Sequence, residues 1–258
     1  MKQSHRARKR FGQHFLTAPE TIQQIIDAIA PAAGETLVEI GPGQGELTMP
    51  LAKHAANLHA IEFDRDLVAM LRSRFADADN VTIHEADALK FDFARLGSRL
   101  RVLGNLPYNI STPLLFRMLE FESLIYDMHF MLQKEVVNRI CASPGSKEYG
   151  RLTIMLGSRV DVLPLFDVPP QAFSPPPRVM SAVIRMQPLP PGTYHIQNPR
   201  RFSAVVAQAF SMRRKTIRNA LKGIATDSEL KAANIDPGAR PEQVAVSNWI
   251  ELVNQLDS

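Results

Sequence analysis

Along the 258-residue chain, short continuous apolar runs alternate with stretches whose apolar positions recur at helical spacing. Leu37-Val38-Glu39-Ile40, Leu58-His59-Ala60-Ile61-Glu62, Val81-Thr82-Ile83-His84, residues 100–104 and Asp127-Met128-His129-Phe130-Met131-Leu132 read as five strands. Between them lie amphipathic helices. Thr17 is expected to cap the first, with Pro19 in its first turn and Ile22, Ile25, Ile26 and Ile29 on one face. Asp64 is expected to cap another carrying Leu67, Val68 and Leu71; Ser111 or Thr112 caps one beginning at Pro113; Val136, Val137 and Ile140 mark a helix after the fifth strand. Strand-helix alternation implies a mostly parallel sheet covered on both faces, and residues 160–166 and 179–186 add two strands, for seven. Beyond Pro188, Pro190, Pro191 and Gly192 the strand pattern stops, and residues 202–210, 216–221, 227–233 and 241–256 read as helices. The pattern predicts an α/β domain over residues 1–192 and a small all-α domain over 193–258.

The first strand runs into Gly41-Pro42-Gly43-Gln44-Gly45, and three alternate glycines permit positive φ and close backbone approach before a helix expected near Glu46. A triphosphate-binding loop would end in Gly-Lys-Ser/Thr, but Gly45 is followed by Glu46 and Leu47. A dinucleotide fingerprint would hold a glycine where Glu46 stands. Acidic Glu39, just ahead of the loop, suits a ligand bearing ammonium or sulfonium charge. The spacing resembles the first motif of class I S-adenosylmethionine-dependent methyltransferases, whose fold is a Rossmann-like α/β sheet. Glu62 ends the next strand at about the interval where a carboxylate meets ribose hydroxyls in nucleotide folds, and Asp87 follows the strand after it.

Composition adds a partner. Residues 1–19 hold five Lys and Arg and residues 168–226 hold nine, with no acid in either stretch, leaving sixteen bases against a total of 26 acids elsewhere. An acidic body with two basic segments fits a polyanion. The candidate phosphate contacts are Arg8, Lys9 and Arg10 in the first segment and Arg213, Arg214, Lys215 and Arg218, expected on the second tail helix, in the other. A single cysteine, Cys141, excludes a disulfide framework and a cysteine-rich metal site. With no apolar run of membrane-spanning length, a cytoplasmic protein is expected; a monomer is expected as well.

The fourth strand opens into Asn105-Leu106-Pro107-Tyr108-Asn109-Ile110, a polar and aromatic platform at a strand end. A proline-stiffened loop, Pro169 to Arg178, carries Phe173, which either packs in the core or is presented to a ligand.

Asn105-Leu106-Pro107-Tyr108 resembles the fourth motif of methyltransferases that act on exocyclic amino groups of bases. Arg8-Lys9-Arg10-Phe11-Gly12-Gln13, Glu39-Ile40-Gly41-Pro42-Gly43, Phe130-Met131-Leu132-Gln133-Lys134-Glu135-Val136, Phe173-Ser174-Pro175-Pro176-Pro177 and Arg213-Arg214-Lys215-Thr216 extend the match in order. Together they are similar to the KsgA family of ribosomal RNA adenine dimethyltransferases. That resemblance implies dimethylation, at N6, of two adjacent adenosines in a hairpin loop near the 3′ end of 16S rRNA in the small ribosomal subunit. It also implies that His14, Leu16, Glu39, Gly41, Gly43, Glu62, Asp87 and Asn105 bind S-adenosylmethionine, with Asn105 also bordering the target adenine. The family usually has asparagine where this chain has His14. Asn105 and Pro107 would accept from the target amine while Tyr108 and Phe173 stack on the base. A large-subunit adenine methyltransferase and a non-catalytic RNA-binding assembly factor are the alternatives.

Overall fold

The computed structural model describes residues 14–257. In chain order the elements are β1 (Phe15–Leu16), α1 (Pro19–Ile29), β2 (Thr36–Ile40), α2 (Thr48–Leu51), β3 (Asn57–Glu62), α3 (Arg65–Arg74), β4 (Val81–Glu85) and β5 (Leu100–Asn105). There follow α4 (Ser111–Leu119), β6 (Ile125–Gln133), α5 (Lys134–Ile140), α6 (Arg151–Gly157), β7 (Val160–Val168), β8 (Phe173–Ser174) and β9 (Ser181–Pro188). The chain ends in α7 (Pro199–Ser211), α8 (Ile217–Ala220), α9 (Asp227–Ala232) and α10 (Val246–Leu256).

Seven strands form one sheet in the order β4-β3-β2-β5-β6-β9-β7. The pairs from β4 through β6 are parallel, and β9 joins β6 antiparallel. From β2 the chain runs outward to β3 and β4, then returns to β5 on the other side of β2. That reversal opens a crevice at the carboxyl ends of β2 and β5, where open parallel sheets bind ligands. Gly104 lets the two strands meet there, because a Cβ on it would lie 2.4 Å from the Ile40 carbonyl oxygen.

The described chain divides into two compact units. The first runs to Val137 and resumes from Leu163 to Pro188. Its core includes Ile25, Ile26 and Ile29 of α1 with Leu37, Leu58, Leu103, Met131 and Val183 of the sheet. The second comprises Asn138–Val162 and everything from Leu189 onward. It is built around Trp249, Tyr149, Phe202, Val206, Leu230 and Leu252. Residues 138–162 therefore pack with the tail, ahead of the proline-rich linker at which the sequence pattern divides the chain. The second unit includes α6, which the periodicity did not reveal.

Several caps differ from expectation. Asp64 caps α3, accepting from Asp66 N at 3.1 Å. Thr17 does not cap α1: its N–H and hydroxyl both donate to the Ala172 carbonyl, and Ala18 takes the cap position without a side-chain bond. Ser111 and Thr112 lie inside α4 behind Ile110, and the Ser111 hydroxyl turns back to the Tyr108 carbonyl.

Near the amino-terminal end of the central strand β5, Arg101 is buried beside its register partner Asp127 of β6, with Nε and Nη2 donating to the two carboxylate oxygens at 2.9 and 2.8 Å. It also donates to Glu35 and to the Ile29 and Ala30 carbonyls that end α1. Removing one partner of a buried pair leaves an uncompensated charge. Asp127→Ala is expected to lower the unfolding free energy by about 3–5 kcal/mol in denaturant titrations. A loss under about 1 kcal/mol, the scale of a surface pair, would contradict this role.

Candidate functional site

The carboxyl ends of β2, β3, β4 and β5 border one cavity of about 330 Å³. His14 and Leu16, Glu39, Gly41 and Gly43, Glu62, Asp87, and Asn105, Pro107 and Tyr108 all line it. Four strand ends bring together eight of the residues singled out from sequence, and the segment at β1 adds His14 and Leu16. Among the described residues none that lines it is lysine or arginine, while Glu39, Glu46, Glu62, Asp64 and Asp87 all do line it.

Glu62 organises the floor. Its Oε1 accepts from Phe63 N and Asp64 N, both at 2.9 Å, and its Oε2 accepts from Gly43 N at 3.2 Å. One carboxylate therefore ties the glycine loop to the end of β3. Gly43 has φ +58°, and a Cβ there would stand 3.1 Å from the Phe15 ring, so any other residue would strain the loop and crowd that ring. Gln44 is held from outside by Arg74 of α3, which donates to its carbonyl. The helix expected near Glu46 is a single turn, α2, and its Thr48 hydroxyl donates to Glu39 at 2.6 Å.

Glu39 is buried, and burial pushes its carboxyl up to about 7, against the opposing Thr48 bond and with help from the neighbouring Glu62 charge. Burial also raises Glu62, although its three backbone donors pull the other way. Two acids held above the usual carboxylate range in one chamber favour a cationic occupant. At the end of β4, Asp87 accepts from Leu89 N at 3.0 Å and presents its carboxylate beside Ala86, Ala88 and Leu89.

Asn105 closes β5. Its Nδ2 donates to the His14 carbonyl at 3.0 Å, and because a carbonyl can only accept, the amide is oriented with Oδ1 as its remaining acceptor. The Pro107 carbonyl accepts from Ile110 N at 3.1 Å and keeps a second lone pair. Tyr108 lies with its ring centroid 5.8 Å from that of His14, whose Nδ1 is 2.7 Å from the Pro175 carbonyl. A backbone carbonyl of His14 thus positions Asn105, which gives the departure from asparagine at this position no effect on that contact.

Phe173 does not line the cavity. It is buried in β8, paired with Leu16 of β1, and belongs to the core cluster around α1, so the packing alternative holds and the ring is not presented for stacking. Its burial follows from the two-stranded β1–β8 pairing, a contact between segments far apart in sequence. Sequence reasoning missed Phe63, which lines the cavity and is 61% exposed. The available signal was an aromatic placed between a strand-ending acid and a helix-capping Asp64.

Of the basic residues, Arg8, Lys9 and Arg10 lie outside the described residues. Arg213, Arg214 and Lys215 sit in the turn after α7, ahead of the short α8 that carries Arg218. Arg213 donates to the Lys147 carbonyl and faces Glu242 at 3.8 Å, and Arg218 forms a two-pronged pair with Asp227. Arg214 and Lys215 are exposed. Among the described residues no group of three or more His, Cys, Asp or Glu is arranged to hold a metal ion, and no helix is long and apolar enough to cross a membrane.

The family model described as "Ribosomal RNA adenine dimethylase" matches residues 4–258. A protein of Aromatoleum aromaticum named "Ribosomal RNA small subunit methyltransferase A" is 53% identical over 98% of this chain and 95% of its own length. One of the same name from Methylococcus capsulatus is 51% identical, covering 98% and 99%. Among solved structures, a dimethyladenosine transferase from Plasmodium falciparum superposes with TM-score 0.84 at 23% identity, over 95% of this chain and 98% of that one. The 23S rRNA methyltransferase ErmE superposes with TM-score 0.74 at 24% identity, over 95% and 100%. At those identities the two structures speak for the fold.

The chemistry of Glu39 yields a pH prediction for S-adenosylmethionine, the ligand implied by the sequence motif. With the Glu39 carboxyl pushed up to about 7 by burial, a cation bound beside it favours the carboxylate and expels a proton. Affinity is therefore expected to rise as pH increases toward 7 and to level off above it. Calorimetry at pH 6.5 in buffers of different ionisation enthalpy is expected to show proton release that Glu39→Gln removes. Identical buffer dependence in parent and variant would contradict the assignment.

Proposed function

The chain belongs to the ribosomal RNA adenine dimethylase family, and from that premise we propose how its cavity carries out the reaction. It is an S-adenosylmethionine-dependent rRNA adenine dimethyltransferase acting on small-subunit RNA. The observation that supports this assignment of the site is the convergence of Glu39, Glu62 and Asp87 with Asn105, Pro107 and Tyr108 around one cavity.

S-adenosylmethionine supplies a methyl group activated on a sulfonium. In our reading Glu62 accepts from the ribose hydroxyls with the lone pairs left after its backbone bonds, Asp87 meets the adenine of the cofactor, and Glu39 faces its cationic end. Gly41 and Leu16 approach it through backbone and apolar contact, and His14 stands at its methionine end. The target N6 lone pair is delocalised into the adenine ring and is a weak nucleophile. Asn105 Oδ1 and the Pro107 carbonyl, accepting from its two N–H groups, draw that nitrogen toward tetrahedral geometry and aim its lone pair at the methyl. Tyr108 stacks on the extruded base, and an unpaired RNA loop keeps the cost of extrusion low.

The proposed substrate is two adjacent adenosines in a hairpin loop near the 3′ end of 16S rRNA, met by a monomer within the small subunit or its precursor in the cytoplasm. The second unit, with Arg214 and Lys215 foremost, contacts phosphate, because Arg213 and Arg218 are already engaged by acids of their own unit. Labelled methyl transfer to isolated ribosomal subunits tests the assignment. Dimethyladenine at neighbouring positions of the small subunit is expected, and modification of the large subunit alone would overturn it.

Asn105→Ala is expected to slow single-turnover transfer by about a hundredfold or more while subunit binding persists. A rate within a few-fold of the parent would remove Asn105 from amine activation. Joint replacement of Arg214 and Lys215 by Ala is expected to reduce the slope of log affinity against log salt by about one to two, with cofactor affinity unchanged. An unaltered slope would show that these side chains do not meet phosphate.

A further inference from the structure

Ser181, the first residue of β9, is fully buried and does not line the cavity, yet its Oγ lies 2.8 Å from the Tyr108 hydroxyl. Its backbone is locked in the antiparallel ladder opposite Gln133 of β6. Tyr108, by contrast, belongs to the connection between β5 and α4, outside the sheet ladder. Burying a serine hydroxyl costs free energy unless it is paired, and this one is paired with a cavity wall. Burial pushes the Tyr108 phenol up, against the pull of the Ser181 bond, so the contact is a bond between neutral hydroxyls. The ring is thus anchored at its tip by the sheet, with the His14 imidazole tilted 30° to it.

The two methyl transfers to one nitrogen make unequal use of that anchor. In each, the N6–CH3 bond forms as the S–CH3 bond breaks, the electron pair stays on sulfur to give a neutral thioether, and N6 loses a proton to solvent. In the first, N6 has two hydrogens for Asn105 Oδ1 and the Pro107 carbonyl. In the second it carries a methyl and a single hydrogen, so one acceptor loses its partner. Orientation of the base then relies more on the ring against which it stacks. We infer that Ser181 is a positioning residue for the second methyl transfer, holding the Tyr108 ring at the angle that a monomethylated adenine needs; the inference rests on the proposed reading of the cavity.

The test measures both transfers separately, by nucleoside mass spectrometry during single turnovers on unmodified small subunits. Ser181→Ala is expected to leave the first rate within about twofold and to slow the second about five- to tenfold, the scale of one lost neutral hydrogen bond, so that monomethyladenosine accumulates. Tyr108→Phe, which keeps the ring and removes the hydroxyl, is expected to give the same ratio, and the double variant to be no worse than either. Ser181→Thr keeps a hydroxyl and is expected to restore dimethylation. A partly unfolded sample scales both rates together and leaves their ratio intact. Equal slowing of the two transfers, or additive losses in the double variant, would overturn the inference. Absence of dimethyladenine with the parent protein would instead overturn the reading of the cavity beneath it.

Discussion

A single carboxylate fixes the geometry on which the cavity depends. Glu62 leaves β3 with three backbone N–H groups on its two oxygens, and one of these belongs to Gly43 in the loop after the neighbouring strand. Backbone donors in a tight turn must be satisfied, and here the acceptor comes from the adjacent strand end. Burial of that acid costs free energy and raises its pKa, a cost partly offset by the three donors. The result is a loop whose shape and charge are set together, and a carboxylate held in place by its own backbone donors before any ligand binds.

The sheet supplies the rest of the constraint. Reversal of strand order between β2 and β5 opens the crevice, and Gly104 lets the β5 backbone approach the Ile40 carbonyl closely enough that Asn105 emerges at the rim. Asn105 is then turned by the His14 carbonyl, so its oxygen is assigned by geometry in a segment reaching across from near the amino terminus. Charge follows the same plan. Among the described residues the cavity gathers acids without lysine or arginine, while Arg214 and Lys215 of the second unit are exposed on a turn.

Much of this was legible in sequence because it is local. Alternating runs gave the strands, the alternate glycines gave the loop, and Asp64 gave a cap whose partner is two residues away. The residues at strand ends could be grouped because parallel strands in one sheet present their carboxyl ends together. What was not legible depends on distant partners. Thr17 has a cap residue's chemistry but spends its hydroxyl on Ala172, 155 positions away. Phe173 sits in a proline-stiffened loop that left packing and display both open, and pairing of β8 with β1 buries it. Arg213 and Arg218 look like free bases until Glu242 and Asp227 are brought to them. α6 gives no periodic signal because its seven residues, of which Leu152, Thr153, Ile154 and Leu156 are buried, are too short and too apolar to show two faces.

A crystal structure with S-adenosylhomocysteine bound tests the central claim most directly. The account predicts that the Glu62 carboxylate accepts from the ribose hydroxyls while still holding the N–H of Gly43, with the ligand's adenine beside Asp87 and its sulfur toward Asn105. A ligand bound elsewhere, or a Glu62 that must release Gly43 to reach the ribose, would contradict it.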